Sequence, residues 1–124
     1  MKLLLDTHVV LWWRLDSARL KREVREAVAT ADIVWVSAAS GWEVAIKQAV
    51  GKLRLADPFA SMVKASEFAE LPVTLRHAEQ LAELPPHHTD PFDRMLIAQA
   101  QTEGATFITH DRHFKPYDIS IVWV

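Results

Sequence analysis

Two rhythms of apolar residues alternate along the chain. Residues 2–6, KLLLD, are a short apolar run that stops at an acid, and residues 33–37, IVWVS, repeat the plan and stop at a serine. Unbroken runs of this length read as strands buried on both faces, as in a parallel sheet. Between them, SARLKREVREAVATAD places Leu20, Val24, Ala27 and Val28 on one stripe and Lys21, Arg22, Arg25 and Glu26 elsewhere, with Ser17 positioned as the cap. A helical stripe between two such runs is a βαβ unit.

The later chain continues the alternation. AASGWEVAIKQAVGKL carries Trp42, Ala45, Ile46, Ala49 and Val50 at helical spacing, and Gly51 is placed to stop that helix. DPFASMVKASEF opens with Asp57 as N-cap and Pro58 at the first helical position and is predicted to run to Phe68. ELPV is a short third strand, and TLRHAEQLAEL is a helix capped by Thr74. Pro85 and Pro86 enforce an extended loop, after which DPFDRMLIAQAQTEG forms a helix from Asp90 to about Glu103 with Gly104 as its C-cap. TFITHD and ISIVWV close the chain as strands. The order predicts an α/β protein, a three-layer α/β/α sandwich around a mainly parallel central sheet, formed as one domain over residues 1–124.

Composition narrows the chemistry. Half of the 124 residues are hydrophobic and 24% are charged, the balance of a globular chain with a core. The longest apolar runs fall far short of the ~20 residues that span a bilayer, and MKLLLD lacks the long apolar region of a signal peptide, so a cytoplasmic protein without a membrane partner is expected. Cysteine is absent, which excludes disulfides and thiolate metal sites and leaves carboxylate, imidazole and carbonyl donors. Hard cations, Mg²⁺ first and Mn²⁺ as the alternative, suit that donor set. The formal net charge of −2 gives no general pull toward nucleic acid, so any RNA contact must be local.

Sites of open parallel sheets lie beyond the carboxyl ends of the strands, and four acids fall there. Asp6 ends the first strand, Glu43 lies early in the helix after the second, Asp93 lies in the first turn of the late helix, and Asp111 follows the fourth strand. Each has a local reading as well. Asp6 caps THVVLWW, Ser40 and Glu43 form a capping box, Asp90 and Pro91 start the late helix, and Asp111 caps a turn over RHF. Jointly, four gathered carboxylates repel one another and have raised pKa values unless cations neutralise them.

The stretches LLLDTHVVLWW, VSAASGWEVAIKQAVGKL, DPFDRMLIAQAQTEG and FITHDRHF, in this order and spacing, resemble the PIN-domain family, most closely its bacterial VapC-type toxin group. The resemblance implies a metal-dependent endoribonuclease with Asp6, Glu43, Asp93 and Asp111 as its catalytic and metal-binding acids. It further implies Asp90 as an accompanying acid and Thr7 as the hydroxyl beside the metal. Its implied partners are an RNA substrate, a cognate antitoxin protein and a second copy in a homodimer. In such an enzyme Asp6 and Asp93 would hold the ion, Glu43 would hold the ion's water or accept its proton, and Asp111 would position that water. The loop LPPHHTDP, with His87 and His88, lies where the family varies.

Arg94, Arg112 and Lys47 flank the acids as candidate phosphate contacts, or as ordinary partners of the carboxylates. The histidines His8, His87, His88, His110 and His113 match no helical metal-binding pair and are expected in packing and hydrogen bonding. Tryptophans 12, 13, 35, 42 and 123 are expected in the core or a dimer interface, with base stacking as the alternative. Two further functions compete. A catalytically silent binding module would have lost acids, and all four are present. An aspartyl-phosphate phosphotransferase would need a second acid at the position of His8.

Overall fold

Leu3, Leu4 and Leu5 have no solvent exposure, because their strand is flanked on both edges and covered on both faces. The computed structural model describes residues 1–124. Its elements are β1 (Lys2–Leu5), α1 (Thr7–Arg14), α2 (Arg22–Thr30), β2 (Ile33–Ser37), α3 (Ala38–Ala49), α4 (Phe59–Ala65), β3 (Ala69–Leu71), α5 (Leu75–Ala82), α6 (Pro91–Glu103), β4 (Thr106–Thr109), a 3₁₀ turn (Arg112–Phe114) and β5 (Ile121–Trp123). The five strands form one sheet in the order β3-β2-β1-β4-β5. Every neighbouring pair is parallel. The α/β sandwich expected from the alternation is therefore the fold, with a sheet that is wholly parallel.

Successive leucines of β1 point to opposite faces and seed two cores. Leu3 and Leu5 join Val9, Val10, Leu20, Val24, Val36, Phe68 and Ile108 on the side of α1 and α2. Leu4 joins Leu96, Ile97, Phe107, Phe114 and Tyr117 on the side of α6. The chain builds outward from β1 to β2 and β3, then returns to lay β4 on the other edge of β1. This reversal puts a crevice at the carboxyl ends of β1 and β4, the position at which open α/β sheets bind ligands.

Several local expectations are corrected. Ser17 does not cap α2: its hydroxyl accepts from the backbone N–H of Arg19, closing a turn, and the helix begins only at Arg22, behind Lys21, which makes no side-chain cap. Asp57 caps nothing either, since Pro58 is the N-cap residue of α4. That helix ends at Ala65 rather than Phe68, because Glu67 turns the chain at φ 61° and sends Phe68 into the core against Trp13. The third strand ends at Leu71, before Pro72, which has no N–H to continue the ladder. Thr74, Asp90 and Gly104 act as expected: Thr74 forms a capping box with His77, Asp90 accepts from the Asp93 N–H, and Gly104 closes α6 at φ 64°.

The largest departure is in α3. Its buried residues are Ala39, Ser40, Glu43 and Val44, while the apolar stripe read from the sequence faces outward. Trp42 is 65% exposed, Val50 62% and Ile46 42%, so this stripe is not core. Glu43 lies on the opposite, inward side, and an α-helix cannot turn both faces inward. Of the other tryptophans, Trp12, Trp13 and Trp35 are half-buried and pack against the two cores, and Trp123 is half-buried. No helix is long and apolar enough to cross a membrane.

Phe107 of β4 and Phe114 of the 3₁₀ turn are both fully buried, with ring centroids 4.7 Å apart. The pair fastens the segment that carries Asp111 to the sheet. Phe114→Ala is expected to lower unfolding free energy by about 3–5 kcal/mol in urea titrations, through the lost burial and the cavity left behind.

Candidate active site

Asp6 is the residue at which β1 gives way to α1. Its backbone N–H still pairs with the Ile108 carbonyl of β4, and its side chain caps α1 by accepting from the Thr7 N–H at 2.8 Å. The other carboxylate oxygen accepts from the Thr109 hydroxyl at 2.7 Å. Thr109 in turn accepts from the Asp111 N–H at 3.0 Å, so one buried hydroxyl joins two of the four acids.

Thr7 joins a third. Its hydroxyl lies 2.9 Å from Glu43 Oε1 and 2.8 Å from the Ser40 hydroxyl. A hydroxyl has one proton, so Thr7 donates to the carboxylate and accepts from Ser40. The other Glu43 oxygen pairs with Lys47 at 3.1 Å, one helical turn on. The capping box expected from Ser40 and Glu43 is absent, because Ser37 caps α3 and Ser40 already lies inside the helix. Both side chains instead face Thr7.

Asp93 enters from the first turn of α6, where its N–H bonds Asp90. Its Oδ2 lies 2.7 Å from His88 Nε2. The Thr89 N–H donates to the other ring nitrogen, which puts the imidazole proton on Nε2 and makes His88 the donor to Asp93. His113 donates from Nδ1 to Asp111 Oδ1 at 2.8 Å, and the two imidazoles stack 5.2 Å apart, 22° from parallel. His88, Asp111 and His113 offer ligand atoms within 4.8 Å of one another. Asp6, Glu43, Asp93 and Asp111 therefore converge through Thr7, Thr109 and the histidine pair at the crevice between β1 and β4.

The electrostatics follow from this crowding. Burial pushes the Asp6 carboxyl up, helped by the Glu43 charge and opposed by its bonds to Thr109 and Thr7 and by His8. Asp93 rises from the ordinary 3.8 to about 7, first through burial, with the charges of Asp90 and Asp6 adding and the bond from His88 opposing. Burial also acts on Asp111, but bonds from the backbone and side chain of His113 outweigh it and hold this acid below the ordinary range. Two acids held high by desolvation and by neighbouring carboxylates are what a hard divalent cation would neutralise.

The flanking cations divide. Lys47 stays at the pocket on Glu43. The Arg94 guanidinium is committed to the end of α5 and the loop that follows it, bonding the carbonyls of Pro85, His88, Leu81 and Leu84 and the Tyr117 hydroxyl. Arg112 lies over the Trp123 ring, 4.3 Å from its centroid. Sequence reasoning missed Thr109, His88 and His113 as partners of acids, and it paired Ser40 with Glu43 where the Ser40 hydroxyl bonds Thr7. Thr109 alone had a signal: at strand spacing it shares a face with Asp111, two residues on.

Comparison with known proteins bears on the fold and the family. The PIN domain family model matches residues 3–119. Ribonuclease VapC22 from Mycobacterium tuberculosis is 31% identical over 117 residues, covering 92% of this chain and 90% of the relative. Among solved structures, VapBC2 from Rickettsia felis, bound to a promoter DNA fragment, superposes with a TM-score of 0.75 at 16% identity, covering 98% of each chain. The DNA-bound VapBC from Salmonella typhimurium gives 0.73 at 16% identity, covering 98% of this chain and 97% of that one. With the sheet order, the switch-point crevice and a match over nearly its whole length in agreement, this chain belongs to the PIN domain family.

Proposed function

We propose that the protein is a metal-dependent endoribonuclease that hydrolyses RNA phosphodiester bonds as the toxin of a type II toxin–antitoxin pair. The observation that carries the reading is the gathering of Asp6, Glu43, Asp93 and Asp111 at one crevice, where burial raises the carboxyls of Asp6 and Asp93, with the Glu43 charge adding at Asp6 and the charges of Asp90 and Asp6 adding at Asp93. The VapC22 relative is named a ribonuclease, which supports the substrate class.

Asp6 and Asp93 would hold Mg²⁺ or Mn²⁺, flanked by Glu43 and Asp111. When bound, the ion would supply charge neutralisation and an activated water. The side chains of this protein do the positioning. Thr7 and Thr109 fix both oxygens of Asp6, so its carboxylate is preorganised and loses little rotational freedom. His88 and Asp90 orient Asp93 from either side, and His113 orients Asp111. Glu43, gripped by Thr7 and Lys47, is placed to take a proton, and Lys47 brings a positive charge to the pocket for a phosphate.

A protein partner belongs to the reading. The solved VapBC complexes support a cognate antitoxin, and the exposed α3 stripe of Trp42, Ile46 and Val50 is apolar surface suited to such a partner or to a second copy in a homodimer. Action on cellular RNA makes the cytoplasm its place of work.

Asp6→Asn and Asp93→Asn are each expected to reduce Mg²⁺- or Mn²⁺-dependent RNA cleavage on the order of a hundredfold or more while leaving a cooperative unfolding transition. Full cleavage by a folded Asp93→Asn protein would remove Asp93 from the mechanism. Expression without an antitoxin should arrest growth, and the same substitutions should relieve the arrest.

The raised Asp93 carboxyl also sets a pH dependence. A carboxyl whose folded pKa lies above its unfolded value contributes stability that is fully present below the unfolded pKa and lost as pH rises through the folded one. Without metal, the melting temperature should therefore fall between about pH 4 and pH 7, less so in Asp93→Asn. At neutral pH, added Mn²⁺ should raise the melting temperature of the parent more than that of the variant, and calorimetry near pH 6.5 should detect proton release on metal binding.

A further inference from the structure

Three rings stand together beside the acids, and neither core explains two of them. His8 and His110 are exposed, and Trp12 is half-buried. Trp12 and His110 lie 4.7 Å apart between centroids, His8 and His110 are 5.9 Å apart edge-on, and His8 and Trp12 are 6.1 Å apart. His8 and Trp12 share one face of α1 a single turn apart, and Trp12 is rooted in the core on that side of the sheet. The Arg19 guanidinium lies over Trp12, 5.1 Å from the ring centroid.

The placement ties this cluster to the crevice. His8 is two residues beyond Asp6, at the second position of α1. His110 sits between Thr109, which bonds Asp6, and Asp111. With a net charge of −2, the chain has no general attraction for a polyanion, so RNA must be held by contacts near the reacting phosphate.

We infer that His8 and His110, whose rings stand at 89° to each other and are backed by Trp12, form an aromatic corner for an unpaired nucleobase of single-stranded RNA next to the scissile phosphate, one imidazole stacking on the base and the other meeting it edge-on. The inference rests on the ribonuclease reading and assigns His8, His110 and Trp12 as the residues that hold one base of its substrate. Bases in a duplex are stacked on one another and offer no free face, whereas loops and single strands splay bases onto aromatic side chains. Arg19 braces Trp12 by a cation–π contact and adds a positive charge at the edge of the platform.

The test uses the cleavage-silenced Asp93→Asn protein with Mg²⁺ and two fluorescein-labelled probes, an oligoadenylate of about 12 nucleotides and the same length of abasic ribose-phosphate. Anisotropy should show the oligoadenylate bound about five- to a hundredfold more tightly. The exposed pair His8→Ala/His110→Ala should erase most of that preference with little change toward the abasic probe, and His8→Phe/His110→Phe should restore it. Equal affinity for the two probes, a preference that survives the alanine pair, or no restoration by phenylalanine would each overturn the subsite. Failure of the ribonuclease reading looks different: the unsubstituted protein would then cleave no RNA with Mg²⁺ or Mn²⁺, whatever its preference among the probes.

Discussion

The hydroxyl of Thr109 donates to Asp6 Oδ2 at 2.7 Å across the seam between β4 and β1, joining residues 103 positions apart in sequence. Everything the crevice does depends on the register that this bond records. Leu5 lies opposite Ile108 in the parallel ladder, so Asp6 and Thr109 leave the sheet together. From Thr109 the network reaches Asp111, and from Asp6 it reaches Thr7, Ser40 and Glu43. A slip of one residue in β4 would turn Thr109 to the opposite face and part the acids, because side chains alternate along a strand.

The same network holds the fold in tension. Two hydrogen bonds help Asp6 to ionise, yet burial outweighs them, and Asp93 carries the additional repulsion of Asp90 and Asp6. The structure accepts this because the surrounding cores are closed to solvent, with Leu4, Leu5, Ile97, Phe107 and Ile108 all without exposure. Stability comes from the two apolar faces of the sheet, and the crevice draws on it.

The sequence made some of this legible and hid the rest for physical reasons. Strand runs that end at Asp6 and Ser37, and caps at Thr74, Asp90 and Gly104, are local signals, and local chemistry decided them. The acids were findable because strand ends and helix starts constrain where a side chain can point. Ser17 and Asp57 carried equally good cap chemistry, yet the helices begin elsewhere because turns and core residues nearby claim the backbone. The α3 stripe misled because periodicity reports an apolar face without saying whether the chain itself covers it. His88 and His113 meet only in the folded chain, since no local pattern brings a loop before α6 against the turn after β4.

The grip of Arg94 on the end of α5 and the loop that follows it has a consequence for how that loop can change. Four of its five bonds go to main-chain carbonyls, and the Tyr117 hydroxyl adds one bond to the Pro85 carbonyl and another from the His88 N–H. Such bonds specify the path of a backbone and are indifferent to the side chains it carries. The loop is thus a fixed track with replaceable cargo, along which residues can be exchanged without moving the track that carries His88 to Asp93.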